Sequence, residues 1–374
     1  MTELLRGDDD DWSLFTGRLA GLLQFELVRS AVAGKRILIT GAGGYIGSAL
    51  VKALTELEPQ ELVLVDIAEA GLYQLGLDLL SMANRPRTRF VVGSIRDERL
   101  MRELFHRYPT QIVFHAAACK HVPLMEWNPF SAAATNALGT RSVVEAASAA
   151  GVEQCVLLST DKAVDPGSIM GATKRVAELI NLVPWGRTQT KILRLGNVLG
   201  SSGSVVPLFL DQISRGGPVT VTDARASRFF LTLGETVRSL LTVLTYGSGS
   251  LFVPAFAEPH RICDLASYLI ACRRKDGAEV RVAFTGLRPG DKLTERMTSS
   301  KEAVAEMNAN SGLVHVQTTS LPWPELATGL NELERAVELR DGMGLLQAIR
   351  RMVPEYGPSD VVQEELGRTL ETSL

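Results

Sequence analysis

One short run, Thr40-Gly41-Ala42-Gly43-Gly44-Tyr45-Ile46-Gly47, limits the folds open to this chain more than any other. An apolar stretch at residues 37–40 leads into it, and a helical pattern leaves it at Tyr45. Glycines at 41, 44 and 47 remove side chains at three demanding places. There a strand turns sharply into a helix, the backbone must approach a pyrophosphate, and the helix packs on its sheet. A glycine triplet by itself is a weak signal. Between a strand and a helix it is a specific mark of a dinucleotide-binding turn, with a ligand-free βα turn as the plainer alternative.

The alternation continues downstream. Apolar runs at 62–65, 90–92, 112–115, 156–159 and 192–195 are separated by helical stretches. Short buried strands between helices predict an α/β fold, a doubly wound parallel sheet of the Rossmann kind. Asp66 closes the second run, at the spacing where an acid hydrogen-bonds an adenosine ribose. A carboxylate there repels an extra phosphate, which favours NAD over NADP; a helix N-cap is the plainer role and is compatible with it. After Gly196 the pattern loosens into glycine-rich turns at 199–204 and 215–218, which suggests a smaller lobe for a different ligand. The expected division is a helical extension over 1–34, an NAD-binding domain over 35–195, and a substrate-binding lobe with C-terminal helices over 196–374. Within the extension, Phe15, Leu19, Leu22, Leu23 and Val28 predict one packing helix across 12–32, behind an acidic run at 8–11. Leu326, Leu330, Leu333 and Leu345 give helical spacing to 323–353, and residues 359–374 read as a weakly held end.

A formal charge of −3 gives no electrostatic reason to expect nucleic acid or an anionic membrane as partner. No run approaches the roughly 20 apolar residues that span a bilayer, and the first residues lack the features of a signal peptide. A cytoplasmic protein without membrane insertion is the expectation. Cys119, Cys155, Cys263 and Cys272 are scattered, and His106, His260 and His315 show no ligand spacing, so reduced thiols and no metal are expected.

Further motifs carry a family likeness. They are the run from His115 through Lys120, His121 and Glu126, the Thr135-Asn136 pair, Ser159-Thr160-Asp161-Lys162-Ala163, Met170 to Lys174, Arg194-Leu195-Gly196-Asn197, and Leu287-Arg288-Pro289-Gly290-Asp291-Lys292-Leu293. Together, over about residues 34–356, the chain resembles the UDP-N-acetylglucosamine 4,6-dehydratases. These are extended short-chain dehydrogenases of the capsule and polysaccharide biosynthesis group. Short-chain dehydrogenases usually place a tyrosine four residues before a lysine; here Met170 precedes Lys174, as in the methionine-bearing branch. A thioether cannot transfer a proton, so the ordinary relay is missing.

The resemblance implies transient oxidation at sugar C4, loss of water across C5 and C6, and hydride return to C6, with NAD as cofactor and a UDP-sugar as substrate. By side-chain chemistry, Lys162 is the candidate base at C5 and Asp161 the acid at the C6 oxygen. Lys174 would hold the nicotinamide ribose, Thr160 would relay the C4 proton, and Met170 would contribute shape. A surface ion pair for Asp161 and Lys162, and a backbone hydrogen bond for Thr160, are the plainer readings. Cofactor contacts are expected from Gly41, Gly43, Gly44, Tyr45, Ile46, Gly47, Asp66, Ala116, Ala117 and Lys174. Substrate contacts are expected from Lys120, His121, Asn197, Ser204, Val205, Arg228, Arg288 and Asp291. For Arg228 a structural salt bridge, and for His121 a core imidazole, are the rivals. Relatives commonly self-associate, so a homo-oligomer is expected.

Some positions depart from the family pattern. Tyr45 and Ala49 stand where relatives carry serine and glutamate, Ser94 where an aspartate is common, and Asp291 and Arg296 replace glutamates. A UDP-sugar C4 or C5 epimerase is the nearest alternative, since Lys162 could return the C5 proton to the other face. A non-catalytic sensor is the alternative from another class.

Overall fold

The computed structural model describes residues 10–18, 23–82, 85–247, 250–255, 258–273, 279–308 and 312–371. Six strands lead the sheet: β1 (Arg36–Thr40), β2 (Glu61–Asp66), β3 (Arg87–Val92), β4 (Ile112–His115), β5 (Gln154–Thr160) and β6 (Gln189–Leu195); all but the partly exposed edge strand β3 are mostly buried aliphatic runs. Strand β7 (Leu251–Pro254) and the antiparallel pair β8 (Ala303–Asn308) and β9 (Leu313–Gln317) complete a nine-stranded sheet of order β8-β9-β7-β6-β5-β4-β1-β2-β3. Every pair from β7 across to β3 is parallel. The expected doubly wound sheet is present. Thr40 pairs with both Val65 and His115, so the C-terminal ends of β1, β2 and β4 lie side by side where the winding direction reverses. That crevice is where open α/β sheets bind ligands.

Residues after Gly196 serve two places. Helices Val205–Ser214 and Ile262–Arg273 pack with the paired strands Val219–Val221 and Val282–Phe284 around Phe209, Val219 and Leu265, forming a small separate core. By contrast, helices Trp323–Leu339, Gly342–Met352 and Asp360–Glu371 return to the sheet, where Leu326, Leu345, Val362 and Leu366 join Val143, Val176 and Ile180 in one apolar cluster.

Two expectations about the ends are corrected. In place of one helix over 12–32 there are two, Asp10–Thr16 and Phe25–Val32; Gly17, at φ 65°, follows the first, and Leu19 and Leu22 lie outside the described residues. The two halves bury different faces: Phe15 packs on Phe230 and Tyr268 of the small core, whereas Val28 and Val32 pack against the sheet. Residues 359–371 are not weakly held, because Asp360–Glu371 is helical and buries Val362 and Leu366. Its periodic apolar pair was outweighed at the sequence level by its terminal position. Among the described residues no helix is long and apolar enough to cross a membrane.

Leu366 is 1% exposed, and its carbonyl lies 2.4 Å from where a Cβ on Gly342 would stand. Leu366→Ala leaves a cavity in this close-packed seam and is expected to lower unfolding free energy by about 2–4 kcal/mol, read from a urea titration. A change below about 0.5 kcal/mol would mean that the last helix adds nothing to the core.

Candidate active site

The glycine turn has no room for side chains. A Cβ on Gly41, at φ 71°, would sit 2.6 Å from the nitrogen of Ala117, and one on Gly47 would sit 2.0 Å from the carbonyl oxygen of Gly41. Ala116 and Ala117, following β4, are drawn against the turn by hydrogen bonds from Ala116 N–H to the Thr40 carbonyl and Ala117 N–H to Thr40 Oγ1. Gly44 caps the helix Tyr45–Thr55, which also carries Ile46. Asp66 accepts from Gly43 N–H and from Ala68 N–H, both at 2.9 Å, so its carboxylate is fixed beside the turn with lone pairs left over. A backbone cradle at a helix N-terminus, with an acid at the end of β2, fits the pyrophosphate and ribose of a dinucleotide. Tyr45 reaches the other way: its hydroxyl donates to the Leu199 carbonyl at 3.1 Å and ties the turn to the loop that follows Asn197.

Strand β5 ends in Thr160, and a single 3-10 turn, Asp161–Ala163, follows. Asp161 is fully buried, which rules out the surface ion pair. Its Oδ1 accepts from Thr160 Oγ1 at 2.9 Å and from Lys162 Nζ at 2.9 Å, while Oδ2 is buried without a hydrogen-bond partner. Lys162 Nζ also donates to Asn197 Oδ1 at 3.1 Å. The helix Ile169–Leu182 packs directly on this turn, since a Cβ on Gly171 would fall 2.2 Å from the Lys162 carbonyl oxygen. One turn apart on its buried side lie Met170, Lys174 and Glu178. Lys174 Nζ donates to the Leu158 carbonyl at 2.6 Å, and burial pushes its pKa down to about 8, with Glu178 opposing.

Beneath these residues lies a charge cluster that sequence reading left without a role. Arg194 donates to both oxygens of Glu178 at 2.8 Å, and to Glu302 at 2.7 and 2.8 Å. Ser159 and Arg175 complete the Glu178 shell. Burial alone would raise the Glu178 pKa, but the two guanidinium groups and Ser159 bring it down to about 2. Asn136 acts similarly: it bonds both backbone groups of Cys119 and donates to Thr173 Oγ1 at 3.1 Å, joining the loop after β4 to the helix Ile169–Leu182. Asn136, Ser159 and Arg194 carried a sequence signal through their motifs, whereas Arg175, Glu178 and Glu302 carried none.

The expected substrate residues fall into two groups. Lys120 donates to the Ser202 carbonyl at 2.7 Å, and a Cβ on Gly203 would stand 2.5 Å from the exposed His121 ring, so the loop after β4 faces the 200–204 loop. Burial lowers the pKa of Lys120, and burial followed by the charges of Lys120 and Arg288 lowers that of His121. Ser204 precedes the helix that Val205 begins, and its hydroxyl is buried without a partner. Arg288 is ion-paired with Asp291 at 2.8 Å. The terminal nitrogens of Arg228, expected to contact substrate, donate to the carbonyls of Ser227, Lys292 and Leu293. That fork shapes the loop carrying Arg288 and Asp291.

A doubly wound parallel sheet with a glycine turn at its switch point, and a lysine-bearing helix behind a strand-end acid and base, defines a short-chain dehydrogenase type of fold and site. Residues 37–317 match the family described as polysaccharide biosynthesis protein, and the chain belongs to it. It is 40% identical over 294 residues to the probable polysaccharide biosynthesis protein EpsC of Bacillus subtilis, covering 78% of this chain and 49% of EpsC, so it spans about half that relative's length. It is 35% identical over 281 residues to a UDP-N-acetylglucosamine 4,6-dehydratase (inverting) of Campylobacter jejuni, covering 72% of this chain and 79% of that one. Proteins of Rickettsia named UDP-glucose 4-epimerase align at 31% and 32% identity. Among solved structures, Pen from Bacillus thuringiensis superposes with a TM-score of 0.68 at 27% identity, covering 81% of this chain and 98% of that one.

His115 supplies a test of the crevice's electrostatics. It is buried between Thr40 Oγ1 at 2.7 Å from Nδ1 and Thr140 Oγ1 at 2.9 Å from Nε2, and Thr140 spends its own proton on the Asn136 carbonyl. Nε2 therefore donates to Thr140, and in the neutral ring Nδ1 accepts from Thr40 Oγ1. Burial, then the charge of Lys174, lowers its pKa to about 3, against 6.5 unfolded. The unfolded chain takes up the extra proton between these values, so this contribution is complete above pH 6.5 and lost as pH falls towards 3. A loss of about 3 kcal/mol by pH 4 is expected from this residue alone. His115→Asn should flatten the acid limb of the stability profile by that amount; equal slopes in both proteins would contradict the assignment.

Proposed function

We propose that this chain is an NAD-dependent nucleotide-sugar 4,6-dehydratase acting on UDP-N-acetylglucosamine. The observation that carries the reading is the Thr160-Asp161-Lys162 cluster, hydrogen-bonded around the fully buried Asp161 and reaching Asn197, with Met170 in place of the usual tyrosine on the helix packed against it. The glycine turn, Asp66, Ala116, Ala117 and Lys174 would hold the cofactor. When bound, NAD accepts hydride from sugar C4 and returns it to C6, so the reaction has no net redox change.

The chain's own residues move the protons. Thr160 Oγ1, which already donates to Asp161 Oδ1, takes the C4 hydroxyl proton and passes its own to Asp161. The resulting C4 ketone acidifies the C5 hydrogen, and Lys162, as a free amine, removes it. Asp161 delivers its proton to the departing C6 oxygen, and water leaves. Lys162 then protonates C5 as C6 receives hydride, and both side chains are back in their starting states. Met170, 2% exposed, fills the tyrosine's place without competing for protons. Asn197, Ser204, Val205, Lys120, His121, Arg288 and Asp291 would line the UDP-sugar channel, and Arg228 would support it from behind.

The likeness to the Rickettsia epimerases favours one second reading, UDP-sugar epimerisation on the same site. The products separate the two. Proton NMR after incubation with UDP-N-acetylglucosamine in heavy water should show a new C6 methyl group; a product that keeps its hydroxymethyl would establish epimerisation instead. Asp161→Asn and Lys162→Met should each keep bound NAD but slow product formation at least about a hundredfold. Met170→Leu should cost less than about fivefold, since only shape is changed. Unchanged turnover in both the Asp161 and Lys162 variants would remove this mechanism.

A further inference from the structure

Glu126 lies in one of the motifs shared with the dehydratases, yet nothing above gives it work. Its side chain is fully buried at the end of the short helix Val122–Glu126, which directly follows Lys120 and His121. An ionisable carboxyl group in such a place needs partners. Oε1 accepts the backbone N–H of Ile169 at 2.8 Å, the first residue of the helix that carries Met170 and Lys174. Oε2 accepts from Ser359 Oγ at 2.5 Å, a residue 233 positions further along the chain. A Cβ on Gly290 would lie 3.0 Å from the Glu126 carboxyl carbon and 2.9 Å from Ser168 Cβ, so the loop bearing Arg288 and Asp291 closes onto the same spot. Tyr356 packs alongside, buried, with its hydroxyl lacking a hydrogen-bond partner.

We infer that Glu126 is a positioning residue: it clamps the first turn of the catalytic helix between the substrate loop at 288–291 and the C-terminal segment at 356–359. This rests on the proposal that Met170 and Lys174 enter the active site from that helix. The physical case is specific. A helix N-terminus leaves its first N–H groups unpaired, and here Ser168 satisfies Gly171 while Glu126 satisfies Ile169. A negative side chain there is also favoured by the helix dipole. Removing the clamp frees the turn that sets how far Met170 and Lys174 project towards Thr160-Asp161-Lys162. Because one of the carboxylate's two partners comes from the end of the chain, the last described segment acts on the active site without touching substrate.

The test compares Glu126→Ala, Glu126→Gln and Ser359→Ala in the full-length protein. Amide hydrogen exchange is followed by mass spectrometry, and turnover is followed with UDP-N-acetylglucosamine. In Glu126→Ala, exchange across 169–171 should rise about tenfold while β1 and β2 keep their protection. Its kcat should fall about 10- to 100-fold with KM changed less than about threefold, the pattern of a lost transition-state arrangement. Glu126→Gln, whose amide oxygen can still accept from Ile169, should return both readings to within about threefold of the parent. Ser359→Ala should show a smaller rise in exchange confined to the same turn. Wild-type exchange at 169–171 in Glu126→Ala, or a kcat loss no larger than the loss of folded protein, overturns the inference. If Glu126→Ala does not fold, Ser359→Ala decides, and unchanged exchange and turnover there overturn it. Exchange needs no substrate, so an unreactive parent enzyme would sink the dehydratase reading while this result still stood or fell separately.

Discussion

The carbonyl oxygen of Gly41 occupies the space a side chain at Gly47 would need, and the backbone of Ala117 occupies the space a side chain at Gly41 would need. This three-way contact seats the helix Tyr45–Thr55, the end of β1 and the loop after β4 against one another without side chains between them. Its consequence is a crevice walled by backbone N–H groups, with Asp66 fixed on one flank and the 120–121 loop on the other. Because the strands are parallel and in register, the ends of β5 and β6 open on the same side. The Thr160-Asp161-Lys162 cluster at the end of β5 therefore faces the place where a dinucleotide would lie.

Charge is concentrated below that crevice. Arg194 and Lys191 both lie on β6 at 1% exposure, and each is fully engaged: Arg194 with Glu178 and Glu302, Lys191 with Gln154 and the carbonyls of Val243 and Tyr246. Such clusters are weak sources of net stability, yet removing one partner leaves a buried charge unpaired. Their effect is geometric. Glu178 is one turn beyond Lys174 and is held by Arg194 from β6 and Ser159 from β5, so the helix Ile169–Leu182 is registered against two strands. Glu126 holds the other end of that helix. Between the two acids the helix has little freedom to slide, which suits a site in which proton transfers must occur over hydrogen-bond distances.

Much of this was legible in order along the chain. Most of the first six strands could be read because they are short, buried aliphatic runs, β3 only through its apolar end at Phe90–Val92, and the turn because its glycines sit between a strand and a helix. Thr160, Asp161 and Lys162 were legible because they are contiguous at a strand end, and Met170 and Lys174 because they share a helical period. Legibility failed where local pattern and burial part company. Arg228 has the chemistry of a phosphate ligand, but its nitrogens were claimed by the carbonyls of Lys292 and Leu293, about sixty residues away. Among the described side chains of the last helix, Val362 and Leu366 are the deeply buried apolar ones, and their value depends on a seam formed by helices that precede it.

The amino-acid sequence by itself determined the parallel sheet, the dinucleotide turn and the identity of the acid, the amine and the hydroxyl. Each of these is written in neighbours a few residues apart, through backbone geometry and side-chain period. Tertiary structure alone decided that Asp161 is buried, that Glu178 is ionised against Arg194, and that Glu126 joins Ile169 to Ser359. Those outcomes depend on which groups lose water together, and partners 108 and 233 residues apart meet only once the core has closed.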